Sequence, residues 1–194
     1  MHRFFLGRQV WLILLVSLLL SPFSLNAADF DFSRFRRECG LRLAYGYSLH
    51  TADVKLFSLL PRYGFFLVQP GGPSWKGIGV SVVLEGVFSL AEAENTGSEF
   101  GVTPLLKLSL PLGGKILAFL EGGAGLILEN FDSPTTGSTF NFTPQVGAGL
   151  DIALTPQLAL TLAYRFRHSS NAGLYERNPG LDANFFHVGL TYYH

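Results

Sequence analysis

The chain has 194 residues and a formal net charge of +0, from 14 basic and 14 acidic side chains. That length suits one domain, and the balance excludes the basic footprint of a nucleic-acid-binding surface. Charged residues are only 14% of the total, against roughly 25% in an ordinary soluble domain, whereas 48% are apolar, with 22 Gly and 18 Phe. The mixture describes a β protein with an apolar surface and argues against a soluble helical one.

Residues 1–27 read as a secretory signal peptide. Arg3 and Arg8 flank its basic region, "VWLILLVSLLL" forms an apolar run over residues 10–20, and Pro22 ends the run. "SLNA" then places a small residue at a cleavage point after Ala27 or Ala28. A membrane-anchoring helix is the other reading, but the run is shorter than the roughly 20 residues a helical span needs. Residues 28–194 are expected to form a single domain. Its one cysteine, Cys39, has no partner for an internal disulfide.

From residue 40 onward, segments of about ten residues alternate apolar and polar, with breaks rich in Gly and Pro. Residues 40–49 set Leu41, Leu43, Tyr45 and Tyr47 against Arg42 and Ser48. Residues 54–66 are apolar on both faces and carry Pro61, so their orientation is ambiguous. In 78–88, Ile78, Val80, Val82, Leu84 and Phe88 oppose Ser81 and Glu85. In 102–110, Val102, Leu106, Leu108 and Leu110 oppose Thr103, Lys107 and Ser109. In 115–126, Ile116, Ala118, Leu120 and Leu126 oppose Lys115 and Glu121. In 142–152, Phe142, Val146, Leu150 and Ile152 oppose Thr143, Gln145 and Asp151. In 158–167, Leu158, Leu160, Leu162, Tyr164 and Phe166 oppose Thr161, Arg165 and Arg167. In 184–193, Phe186, Val188, Leu190 and Tyr192 oppose His187 and Thr191.

Eight strands of this kind could form a soluble sandwich, a lipocalin-like barrel or a membrane barrel. The polar row is sparse in charge, roughly balanced between Arg42, Lys107, Arg165 and Arg167 and the acids Glu85 and Glu121, and otherwise rich in small residues. That suits the narrow, side-chain-filled lumen of an eight-stranded barrel. The opposite row carries almost no charge, as a lipid-facing surface requires. The expected fold is therefore all-β, an eight-stranded antiparallel transmembrane β-barrel of the bacterial outer membrane. Short inner turns are expected at 111–114 and 154–157, with a longer one at 69–77. Longer outer connections are expected near 90–100, 127–141 and 169–183. Eight strands leave no open pore, which disfavours a solute channel.

The seventh segment runs into "YRFRHSSNAGLYERNPGLD", residues 164–182. Side chains two apart share a strand face. The lipid-facing row of Tyr164 and Phe166 therefore continues to His168 and Ser170, while Ser169 alternates to the lumen. Read backwards, the last segment's lipid row ends Phe186, Asn184, Asp182. So Ser170, His168 and Asp182 converge on one exterior patch at the outer end. A serine nucleophile needs a base, and the base needs a group that holds its tautomer. These three residues can supply those roles, or they can form a polar collar in the headgroup zone.

"HSSNAG" followed by "NPGLD" resembles the signature of the outer-membrane lipid A 3-O-deacylases, the PagL-like family, whose motif reads His-x-Ser-Asn-Ala-Gly with an acidic residue just before the last strand. The resemblance implies a serine esterase that removes the 3-O-linked hydroxyacyl chain of lipid A in the outer leaflet, with lipopolysaccharide as substrate and membrane lipid around it. It implies Ser170 as nucleophile, His168 as base, Asp182 as acid, and Asn171 with the Gly173 N–H as oxyanion donors. Asp182 stands where the family's best-known pattern has glutamate, and Glu176 is an alternative acid. Asn171 and Gly173 also suit ordinary turn chemistry. No cofactor is implied. The five histidines show no zinc-ligand spacing, so no metal is expected either. A non-enzymatic structural or adhesion barrel is the competing function, and the oligomeric state stays open.

Overall fold

The computed structural model describes residues 31–49, 53–72, 77–131, 139–176 and 178–194. The expected signal segment, 1–27, lies outside the described residues. A short 3-10 turn, Phe32–Arg34, precedes eight strands: β1 Arg37–Ser48, β2 Lys55–Val68, β3 Gly79–Glu92, β4 Thr96–Gly113, β5 Ile116–Glu129, β6 Phe140–Ala153, β7 Leu158–Ser169 and β8 Leu181–Tyr193. Each pairs antiparallel with its sequence neighbour, and β1 pairs with β8, closing the barrel. Closure leaves no sheet edge, which is the only way a sheet can cross hydrocarbon with its backbone groups satisfied.

The alternation read from the sequence holds around the barrel. Leu43, Leu84, Leu106, Leu120, Val146, Leu162 and Val188 are exposed on the outside, and Arg42, Glu85, Lys107, Glu121 and Arg165 are buried inside. The structure also orients β2. Phe57, Leu59, Tyr63, Phe65 and Leu67 face lipid, while Leu56, Ser58, Leu60, Arg62 and Phe66 face the lumen. Both rows of β2 are apolar because the lumen here needs grease as well as charge.

The lumen is layered. At the inner end, Phe32, Phe66, Leu117, Ala153, Ala159 and Tyr193 form an apolar plug. At the outer end, Leu56, Leu60, Val87, Phe131, Leu181 and Phe185 form another. Between them lies an ionic layer. Glu121 accepts from Arg42 Nη1 (2.9 Å), from Arg62 Nη2 (2.6 Å) and from Arg165. Glu85 takes Arg62 at 2.6 Å and Arg165 at 2.5 Å, and Lys107 Nζ bridges Glu38 (2.7 Å) and Asp151 (3.0 Å). Arg167 forms a fork on Glu99, at 2.7 and 3.1 Å. Every one of these cations meets a carboxylate, which is the condition for burying charge at tolerable cost.

Two expected boundaries shift. The stretch 90–100 is not a long outer connection: β3 runs to Glu92 and β4 starts at Thr96. Cross-strand pairing extends to Glu92↔Thr96, so the ladder overrides the polar composition there. Likewise 111–114 is not all turn. β4 continues to Gly113 with a register shift between Pro111 and Gly113, because proline can sit at a bulge without donating to the ladder. The turn at 154–157 lies between β6 and β7 as expected.

Candidate active site

β7 and β8 build the exterior patch. Their register pairs His168 directly with Asp182, Phe166 with Asn184 and Tyr164 with Phe186. Directly opposed residues hold their Cβ atoms about 4.5–5.5 Å apart, which is enough for an imidazole to meet a carboxylate. His168 Nδ1 lies 2.6 Å from Asp182 Oδ1. A carboxylate only accepts, so the pairing assigns the proton to Nδ1 and leaves Nε2 with the lone pair. Both side chains are partly open, at 38% and 29% exposed. Glu176 is exposed on the following loop and makes no hydrogen bond to His168.

Ser170 is the last residue held by the sheet at this corner. Its N–H donates to Phe142 O (3.0 Å), and its carbonyl accepts from Phe142 N–H (2.8 Å). This isolated bridge to β6 carries the sheet one residue past β7 to Ser170, which is half-buried, whereas Ser169 is buried in the lumen. No hydrogen bond joins Ser170 Oγ to His168 among the described residues. Catalytic hydrogen bonds in unliganded sites are often long and tighten with substrate.

Beyond Ser170 the chain folds into a tight turn. Leu174 N–H donates to Asn171 O at 3.0 Å, and the central pair has positive φ, 54° at Ala172 and 81° at Gly173. Alanine in this region carries roughly 1–2 kcal/mol of strain, which marks a backbone held for a purpose. Asn171 is fully buried. Its Oδ1 accepts the Gly173 N–H at 2.9 Å, and its own N–H donates to Asn178 Oδ1 at 2.9 Å. The structure thus brings Asn171 and Gly173 together beside Ser170, with the Gly173 N–H engaged inside the turn.

Asn178 is a residue to which the sequence analysis assigns no role. Its side chain accepts the Asn171 N–H and so ties the approach to β8 to the turn after Ser170. The signal was present, since asparagine before Pro-Gly is a ready backbone partner, but the sequence does not say which N–H it meets.

Below the patch lies a second feature that parity exposes. Asn184 occupies the lipid-facing row of β8, yet is only 8% exposed. Tyr164 OH donates to its Oδ1 at 2.5 Å, and its Nδ2 reaches Tyr47 OH at 3.5 Å. The rings of both tyrosines flank Phe186, with centroids at 5.5 and 6.4 Å. An amide at this depth needs such partners. Arg165, Arg167 and His187 all point into the lumen and take no part in the exterior site.

Fold and patch together define a closed transmembrane barrel of the outer-membrane type, carrying a serine, a histidine–aspartate pair and a strained turn at its outer rim. The family model for PagL, lipid A 3-O-deacylase, matches residues 62–191, and the chain belongs to that family of outer-membrane proteins. The lipid A deacylase PagL of Bordetella bronchiseptica is 39% identical over 77 residues, covering 38% of this chain and 39% of the relative's own length. The crystal structure of the outer membrane enzyme PagL shares the fold, with a TM-score of 0.57 and 19% identity over 77% of this chain and 97% of that one. Neisserial surface protein A shares it too, with a TM-score of 0.51 and 12% identity over 82% and 97% of the two chains.

Proposed function

We propose that the protein is a serine esterase that removes the 3-O-linked hydroxyacyl chain from lipid A in the outer leaflet. The observation that carries this reading is the 2.6 Å His168–Asp182 pair on the same exterior face as Ser170. Family membership supplies the substrate class.

Ser170 Oγ attacks the ester carbonyl while His168 Nε2 takes its proton. Asp182 holds Nδ1–H and stabilises the imidazolium. The carbonyl oxygen becomes an oxyanion, which replaces Asn171 Oδ1 as partner of the Gly173 N–H and draws on the Asn171 amide. The tetrahedral species collapses, the acyl C–O bond to the sugar breaks, and His168 gives its proton to the departing sugar oxygen, which leaves as a hydroxyl. Water, deprotonated by His168, then attacks the acyl-serine, releasing the free 3-hydroxy acid and restoring Ser170.

The site's position supports this sequence of steps. It lies on the lipid-facing wall at the outer end, so the ester is met without lifting lipid A into water. Phe166, Leu162 and Leu160 continue the same row below His168 and give the acyl chains an apolar seat. Exposed Leu174 and Tyr175 on the loop suit the interface between headgroups and chains.

The lack of a Ser170–His168 hydrogen bond favours a second reading, a barrel that keeps the scaffold without the chemistry. Mass spectrometry of lipid A from expressing cells separates the two. The esterase removes one hydroxyacyl chain, and Ser170→Ala restores it, with a rate loss of at least about 1,000-fold. Lipid A that is unaltered by the wild-type protein would exclude the esterase.

A further inference from the structure

His168 is tied at Nδ1 by Asp182, and the ring's remaining edge is set against Gly180. A Cβ built on Gly180 would lie 2.7 Å from His168 Cε1, 3.3 Å from Nε2 and 3.6 Å from Nδ1. Carbon atoms rest at about 3.5–4.0 Å, so the bare glycine is the only residue that leaves the imidazole its present place. We infer that Gly180 is a positioning residue, whose Cα forms the wall on which the His168 ring is seated. The inference deepens the esterase reading and rests on it for its kinetic consequence.

Two features keep the wall from retreating. Gly180 directly precedes β8, two residues before Asp182, so one short backbone segment carries both the wall and the acid. The other end of the loop is clamped by the Asn171 N–H bond to Asn178 Oδ1. Any added methyl must therefore move the imidazole. A displaced ring stretches the bond to Asp182 and shifts Nε2, and a misplacement of about 1 Å can lower the rate on the order of 100-fold.

Gly180 also has φ +80°, so backbone strain must be separated from the clash. Gly180→Asn does this, because asparagine tolerates left-handed φ but still brings a Cβ. Gly71→Ala is the matched control. Gly71 has φ +80°, lies in the β2–β3 connection at the other end of the barrel, and its added Cβ would meet only Pro111 Cγ at 3.7 Å.

The purified, folded full-length protein is assayed on lipopolysaccharide micelles for kcat and KM, with heat-modifiable gel mobility reporting the fold. Both Gly180 variants are expected to lose kcat by about 10- to 100-fold with KM within about twofold, whereas Gly71→Ala stays within about twofold of wild type. If Gly180→Ala does not assemble, Gly180→Asn, which is less strained, carries the test. Recovery of wild-type kcat in Gly180→Asn, or full activity in Gly180→Ala, overturns the inference. The NMR signal of the His168 Nδ1 proton gives an arm independent of turnover. It is expected to shift or vanish in both Gly180 variants and to persist in Gly71→Ala, and an unmoved signal overturns the wall even if the wild type proves inactive. Inactive wild-type enzyme with a shifted signal instead sinks the esterase and leaves the wall standing.

Discussion

The lumen and the exterior patch lie on opposite faces of one sheet, and each sets a basic side chain against a carboxylate. Inside, the cations of the ionic layer are buried and each meets a carboxylate: Glu121 alone is shared by Arg42, Arg62 and Arg165. Outside, the His168–Asp182 pair is partly open, and one imidazole nitrogen is left for a further partner. The difference teaches what each arrangement is for. A buried, cross-linked network holds strands at fixed distances, whereas a partly open pair leaves His168 accessible for the role proposed above.

The sharpest way to test that contrast is to strip the open pair of its charge. Asp182→Asn should lower kcat by about 1,000- to 10,000-fold, because the amide can stabilise the wrong imidazole tautomer. Glu176→Gln, measured beside it on lipopolysaccharide, should stay within about twofold. The reverse ranking would make Glu176 the acid and dissolve the assigned pair.

Breaking the buried network should do the opposite. Glu121→Leu leaves buried guanidinium groups without their shared partner, which costs about 3–5 kcal/mol. The expected readout is a lower denaturant midpoint in lipid vesicles, with turnover per folded molecule largely kept. A folded variant with wild-type stability would show that the layer is not a scaffold.

Between these extremes lies the amide under the tyrosines. Tyr164→Phe removes the donor to Asn184 Oδ1 and should cost about 1–2 kcal/mol in the same unfolding experiment. An unchanged midpoint would mean that Asn184 finds another donor. The smallest effect is expected at the outer rim, where Lys55 and Glu92 approach to 3.5 Å while well exposed. Lys55→Ala should change stability by less than about 0.5 kcal/mol, and a larger loss would mean that this pair belongs with the interior network.

Much of this was legible in the chain. Period-two alternation marked seven of the eight strands, because a surface in hydrocarbon tolerates no charge and so writes its face plainly. It also assigned His168 and Ser170 to the outside and Ser169, Arg165 and Arg167 to the lumen. Where both faces are apolar, as in β2, parity had nothing to read. Polar composition near residues 90–100 suggested a loop because the sequence does not record how far a ladder extends. The partners Glu38, Arg62 and Glu99 were missed for a related reason, since a lumen-facing charge is visible by parity only when its strand's register is known.

By itself, then, the order of residues determined which side of the wall each side chain takes, since that depends only on counting by two along a strand. Which atoms meet was decided by tertiary structure alone: the cross-strand register that sets His168 opposite Asp182, the shear that gathers three arginines on Glu121, and the loop that returns Asn178 to Asn171 and Gly180 to the imidazole. Contacts of that kind depend on closing the barrel and on the path of the eleven-residue connection from β7 to β8, and no local rule along the chain encodes either.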